Sequence, residues 1–261
     1  MNVSRIVKST ILWRGWCIWQ RNRDAFLRSW KIEVSGIAIE PVIMLLGVGF
    51  GLGVYIGELG GQDYAKFLAP GVIAAYAMFH ATFDSTFGAY MRMETNNVYE
   101  SVLFTPLGPS DIVVGEVMWA ASRGALSGTS VLVVAAVLGL ISSPYAILAV
   151  PAAYLIGFAI GAIAIIFTSL ASSIGALTNF FTLFIMPMFY LSGVFFPLEH
   201  LPYWVRIASW AMPLTPSVAL VRGLVQGDLS WLMLVWVFEL LAVGLLSLII
   251  GCALMRRRLI T

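Results

Sequence analysis

Long apolar runs separated by short polar patches organise this chain. Six runs stand out, at residues 35–57, 66–91, 112–141, 145–170, 177–196 and 231–254. An α-helix needs about 20 apolar residues to cross a hydrocarbon layer about 30 Å thick, and each run is of that order. The pattern predicts an all-α integral membrane protein with six transmembrane helices. Pro41 predicts a kink in the first span, and Gly47, Gly49, Gly51 and Gly53 predict close helix packing in its second half.

The segments between the runs carry their own patterns. Residues 3–32 read as an amphipathic helix, with Arg14, Arg21 and Arg28 at every seventh position on nearly one face. Trp13, Trp16, Trp19 and Trp30 add aromatics that favour a membrane interface. Such a helix lies in the headgroup layer or docks on a soluble partner, and the two roles are compatible. Residues 92–111 are too polar to span; they hold one short helix over about 94–104, ended by Thr105–Pro106. This loop is either a plain connection or a helix that presses into a groove on a partner. Ser142–Ser143–Pro144 reads as a tight external turn. Residues 197–230 are too apolar for a free loop and too broken by Pro197, Pro202, Pro213 and Pro216 for a straight span. They read as re-entrant or interfacial helices on the external side, buried against protein.

Composition agrees with lipid as the main solvent. Apolar residues make up 60% and charged residues 11% of the 261 positions, against about 25% charged in soluble domains. Mean hydropathy is +0.93. The small net charge of +2 matters less than its distribution. Seven basic residues precede the first span: Arg5, Lys8, Arg14, Arg21, Arg23, Arg28 and Lys31. Arg256, Arg257 and Arg258 close the chain. With Arg92, six spans place eleven basic residues inside and only three, Lys66, Arg206 and Arg222, outside. The positive-inside rule then puts both termini in the cytoplasm, whereas an odd number of spans would put one basic end outside. Cys17 and Cys252 both fall near the cytoplasmic face, where a disulfide is not expected. The N-terminal segment is too charged for a signal-peptide core, and no soluble domain is left over to bind nucleic acid.

Missing motifs narrow the chemistry. None of the three lysines follows a glycine, so there is no Walker A loop and no ATP site of that kind. His80 and His200 lie far apart, with no HExxH pair and no Gly-x-Ser-x-Gly elbow, which argues against a membrane-embedded hydrolase. Four charges fall within spans: Glu40, Asp84, Arg123 and Glu239. Each is costly in lipid and belongs to a substrate or proton path, to a helix-packing pair or to a snorkelling span end, with Glu40 and Asp84 near span ends and Arg123 and Glu239 deep enough to pair with each other.

Two stretches carry a resemblance. NNVYESVLFTPLGPSDIVVGEVMWAASRGAL, which starts at Asn96, and FFTLFIMPMFYLSGVFFPLEHLPYWVRIASWAMPLTPSVALVRGLVQG, which starts at Phe180, resemble type-2 ABC transporter permeases, especially the nodulation protein J branch. The likeness covers most of the chain, including the basic N-terminal helix and the six-span layout. It implies an N-terminal interfacial helix over 1–34 and a permease domain over 35–261. It also implies a permease dimer bound to two separate ATPase subunits, which carry the ATP and Mg; this chain holds no cofactor and is not itself an enzyme. The coupling helix would use Glu94, Tyr99, Glu100, Thr105 and Pro106 against the ATPase. An external re-entrant gate would include Phe196, Pro197, Leu198, Leu201, Pro202, Pro213 and Pro216.

The resulting expectation is an ATP-driven exporter in the bacterial inner membrane. It would move an amphipathic substrate such as a lipo-oligosaccharide, a lipid-linked glycan or a hydrophobic drug. Its partners would be a second copy of itself, two ATPases and membrane lipid. The rival is a proton-coupled secondary transporter that uses Asp84 or Glu239; it predicts inverted repeats with broken helices in both halves, and only 197–230 is broken.

Overall fold

A computed structural model describes residues 3–59 and 61–260, with side chains from residue 13 onward, so Arg5 and Lys8 lie outside the described side chains. Helix α1 (Val3–Arg28) precedes α2 (Trp30–Ile56). A two-stranded hairpin pairs β1 (Glu58–Leu59) with β2 (Gln62–Asp63). Helix α3 (Tyr64–Phe83) follows and is prolonged by wide, π-helical turns at Asp84–Gly88 and Met91–Thr95. Then come the short α4 (Val98–Leu103), α5 (Pro109–Val137), α6 (Pro144–Leu170) and α7 (Ile174–Leu191). Helices α8 (Tyr203–Trp210), α9 (Leu214–Gln226) and α10 (Leu232–Ile260) complete the fold. This is an all-helical membrane protein.

Five helices, α2, α5, α6, α7 and α10, are long and apolar enough to cross a bilayer. The sixth expected span, α3, is the inner helix. Leu68, Val72, Ile73, Ala77 and Met78 are fully buried, and protein covers most of the helix along its length. A helix shielded by its neighbours can carry Lys66 and His80 and needs less hydrocarbon than a lipid-facing one. Its 20 residues rise about 30 Å, enough for a crossing.

Small residues decide how closely the inner helices approach. Gly124 and Gly128 on α5 and Gly157 and Gly161 on α6 form two small-xxx-small motifs that face each other and α3. A Cβ on Gly157 would sit 3.0 Å from Ala121 Cα, and one on Gly124 would sit 3.0 Å from the Ala77 carbonyl oxygen. Contacts climb in register from Gly128–Ile73–Ala153 through Gly124–Ala77–Gly157 to Ala120–Ala81–Gly161. Helices α3 and α6 therefore run parallel, with α5 antiparallel to both. The glycines of α2 meet the sequence expectation only in part, at Gly49 and at Gly53, which packs on Tyr64. Gly49 packs on Ala65 and Leu68, but a Cβ at Gly47 or Gly51 would meet open space. Pro41 removes a backbone donor early in α2, and the helix widens into π-helical turns over Leu45–Leu52.

Each connection has a local cause. Gly108 and Pro109 start α5, and the Asp111 carboxylate accepts the Gly108 N–H at 2.9 Å. Asn97 adopts the left-handed conformation (φ 49°) between the extension of α3 and α4. Gly139 (φ 70°) ends the stretch after α5, and Ser142 N–H bonds to the Val225 carbonyl on α9 at 3.2 Å.

One end of the bundle gathers α1, the 92–111 loop, the start of α5 and the ends of α6 and α10. Met255 and Arg258 on α10 meet Ser169 on α6 there. The opposite end carries the hairpin, α8 and α9.

Candidate functional site

The loop end is built around one carboxylate that the sequence reading did not single out. Glu116, on the second turn of α5, is 1% exposed. The Arg92 guanidinium, beyond the end of α3, donates to it at 2.6 Å. From α1, Arg21 donates at 3.2 Å and Asn22 at 3.1 Å. The same Arg92 nitrogen reaches the Asp84 carboxylate at 3.4 Å. Tyr99 of α4 is fully buried beside this cluster, and burial, followed by the Glu116 charge, pushes its phenol well above its usual range. The phenol therefore stays neutral. Donors from α1 and from the extension of α3 thus converge on one carboxylate of α5, with Tyr99 of α4 beside them. The available signal was the lone acid at the start of a span, facing Arg92 across a loop.

Helix α1 reaches the cluster because Gly15, Ile18, Asn22 and Phe26 recur at helical spacing on its inward face. Gly15 and Gly115 leave no room for a Cβ, so the two backbones touch. Trp13 and Trp16 remain exposed, as do Arg14 and Arg28. Of the three arginines expected on one face, only Arg21 turns inward to an acid.

The predicted coupling loop is helical over Val98–Leu103 only, because residues 91–95 continue α3 and Asn97 breaks the chain. Glu100, Thr105 and Pro106 are exposed. Glu94 is exposed and pairs with Arg258 at 2.8 Å. Tyr99 departs from its expected place on the docking surface: it is fully buried and belongs to the apolar cluster that includes Met93, Ile112 and Val113. Phe104, not anticipated, is 86% exposed at the tip of the loop. Thr105 Oγ1 donates to the Val102 carbonyl at 2.6 Å and holds that tip in place.

The spanning charges separate into different environments. Arg123 does not pair with Glu239. It binds Glu33 of α2 at 2.7 Å and lies over the Phe26 ring, because its face of α5 looks toward α1 and α2. Glu239 on α10 is half-buried and has no ion pair among the described residues. Glu40 accepts the Tyr76 hydroxyl at 3.5 Å.

Two adjoining cavities share Glu33 and Arg123 in their walls. The inner one, about 370 Å³, is walled by Arg21, Asn22, Asp84, Arg92 and Asn96. Buried nitrogens of Arg21, Arg92 and Arg123 have no hydrogen-bond partner there. The second, about 520 Å³, runs between α2, α3 and α7 past Ile37, Phe79, Phe83, Phe181 and Met186, with Glu40 and His80 at its wall. A polar cavity thus lies beside a largely apolar one, with Glu33 and Arg123 in the wall of both.

At the other end, the residues expected to form a gate lie on a turn and two short helices. Pro197 begins a single 3₁₀ turn at Leu198–His200, and Leu198 packs on Gly193. Phe196 and Leu201 are half-buried, and Pro202 is exposed at the head of α8. Pro213 precedes α9, and Pro216 is buried in its first turn, where a missing N–H costs nothing. The Thr215 hydroxyl closes the elbow on the Ser209 carbonyl at 2.6 Å.

The pattern of ABC-2 type transporters matches residues 14–226. Nodulation protein J of Sinorhizobium fredii is 40% identical over 80% of this chain and 80% of its own length. Nodulation protein J of Rhizobium leguminosarum bv. viciae is 34% identical over 99% of both chains. The inner membrane transport permease YadH of Escherichia coli is 26% identical over 82% of each. With a transporter pattern over most of its length and close relatives along nearly all of it, this chain belongs to the ABC-2 type transporter family as a membrane subunit.

Proposed function

We propose that the chain is the translocating subunit of an ATP-driven exporter for an amphipathic substrate, of which a lipo-oligosaccharide fits best. The observation that carries this reading is the pair of neighbouring cavities, one polar and one largely apolar, that share Glu33 and Arg123. Three arginines, Arg21, Arg92 and Arg123, line the polar cavity beside two carboxylates, Glu33 and Asp84, a setting rich in hydrogen-bonding groups and suited to a polyhydroxyl head. The adjoining apolar cleft between α2, α3 and α7 suits an acyl chain. A lipid-linked glycan meets the same requirement, and a hydrophobic drug meets only its apolar half.

In this reading two copies assemble with two ATPase subunits in the bacterial inner membrane, both termini in the cytoplasm. The open faces at Gly47 and Gly51 are available to the second copy. ATP and Mg on the ATPases supply the energy. Exposed Phe104, Glu100 and Pro106 receive the push, and Tyr99 passes it to α5 and, through the Glu116 cluster, to α1 and α3. A bistable packing of this kind turns a small displacement at one end into helix tilting.

The test is co-reconstitution with the cognate ATPase in proteoliposomes. A fluorescent lipo-oligosaccharide should move only with ATP. Phe104→Asp or Glu100→Lys should cut transport at least about tenfold while the subunit still inserts, since anchors in an interface centre carry most of the binding energy. Transport driven by a proton gradient without any ATPase overturns the proposal.

A further inference from the structure

The end of the bundle opposite the 92–111 loop holds a second polar cavity, of about 510 Å³, under α8 and α9. Two arginines line it, Arg206 from α8 and Arg222 from α9, with Glu199 as the single acid. Neither arginine has a carboxylate partner among the described residues. Arg206 only stacks on the Tyr203 ring, 5.7 Å from its centre.

Arg222 is more constrained. It donates to the Gly193 carbonyl at 2.8 Å and to the Phe67 carbonyl at 3.5 Å, and it lies 4.1 Å from the centre of the Phe67 ring. Its Nε is closed off from solvent and unpaired. Gly193 presents its carbonyl because the turn after α7 takes a left-handed conformation (φ 77°). This scaffold holds the guanidinium but neutralises none of its charge. A shielded cation with carbonyls and a ring around it, and no acid paired to it, is costly unless an anion arrives. Trp210 supplies an aromatic wall, and exposed Tyr203 and Trp204 lie on the same helix, residue types that favour a membrane interface.

We propose that Arg206 and Arg222 form a receiving site for an oxyanion, a phosphate- or sulfate-like group, carried by an amphiphile. Arg222 is the fork held by backbone carbonyls and Arg206 the one without a hydrogen bond, and a guanidinium suits bidentate oxyanion recognition. The apolar stem of the amphiphile lies toward the exposed aromatic face of α8. That the site stands at the exit of the path rests on the export reading; the binding itself does not.

Native mass spectrometry of the full chain, released from nanodiscs of mixed phosphatidylcholine and phosphatidylglycerol, tests the site without ATPase or transport. Failure of export and failure of this site are therefore separable. The wild-type chain should retain phosphatidylglycerol above the bulk ratio. Arg206→Gln, which removes no structural hydrogen bond, should lower that retention about tenfold, the effect of one charge-assisted contact. Arg222→Lys keeps the charge but loses the fork and should lower it less. Inorganic phosphate added to phosphatidylcholine nanodiscs forms the second arm. Phosphate adducts that vanish in Arg206→Gln, without phosphatidylglycerol enrichment, would reassign the site to a soluble anion and overturn the amphiphile. Enrichment that survives Arg206→Gln belongs to the basic loop end, and it overturns the proposal, as does the absence of both signals.

Discussion

Glu116 shows how one side chain can matter more than the count of ion pairs around it. Its carboxylate is closed to solvent and satisfied by three donors from two other elements. Removing it leaves the half-buried Arg92 and Arg21 beside nothing of opposite sign except Asp84. Breaking a buried pair in this way costs about 3–5 kcal/mol. The exposed Glu94–Arg258 pair is worth only about 0.2–1 kcal/mol. Glu116→Ala should therefore lower the detergent-unfolding midpoint severely, while Glu94→Gln should barely move it. Equal shifts in an equilibrium unfolding titration would show that the cluster is solvated and is not a structural centre. The sequence did not reveal this residue because a single acid at a span boundary looks like any snorkelling end. Its partners come from Arg21 and Arg92, which lie 95 and 24 positions away. The same distance hid the true partner of Arg123. Glu239 attracted the pairing by depth alone, whereas the face of α5 that bears Arg123 looks toward Glu33.

Elements were legible where a local rule governs them. The six apolar runs, the Thr105–Pro106 stop and the broken 197–230 segment all came through as helices and turns near the expected limits. Helix packing was less legible, because glycines read alike in a string. Those of α2 promised contact, yet Gly47 and Gly51 face open space. The glycines that do make contact sit at fourfold spacing on α5 and α6. That spacing was available as a signal, since small residues at such intervals let backbones approach in lipid. Gly157→Leu should force α5 and α6 apart. A Cβ there already meets Ala121 Cα at 3.0 Å and two backbone carbonyls at 3.1–3.2 Å, and none of these is a side chain that can swing away. Overpacking of this kind costs about 1–3 kcal/mol or more. By contrast, Gly51→Ala meets nothing within 4 Å and should leave the stability of the isolated subunit unchanged. Thermal unfolding of the two variants in detergent decides between this and a loosely packed bundle.

At the scale of the whole molecule, the sequence argued orientation from charge alone, and the structure supplies an independent geometric constraint. Arg258 at the end of α10 binds Glu94 beyond α3 and the Thr168 carbonyl at the end of α6. Arg21 of α1 meets Arg92 on the same carboxylate. The basic N-terminal helix, the 92–111 loop and the basic C-terminus therefore share one end of the bundle, while Arg206 and Arg222 occupy the other. Any membrane orientation must put all three basic segments on one side, and a bilayer favours that side being the cytoplasm. A fluorescent protein that folds only in the cytoplasm, fused after Thr261, should glow. The same fusion after Asp63 in the hairpin, or after Leu201 before α8, should stay dark, and a periplasmic phosphatase fused there should be active. A bright fusion at Leu201 with a dark one at Thr261 would invert the molecule. It would place the anion-receiving cavity beside the cytoplasm and the 92–111 loop beyond the reach of any cytoplasmic ATPase, so the export mechanism and the topology stand or fall on the same pair of reporters.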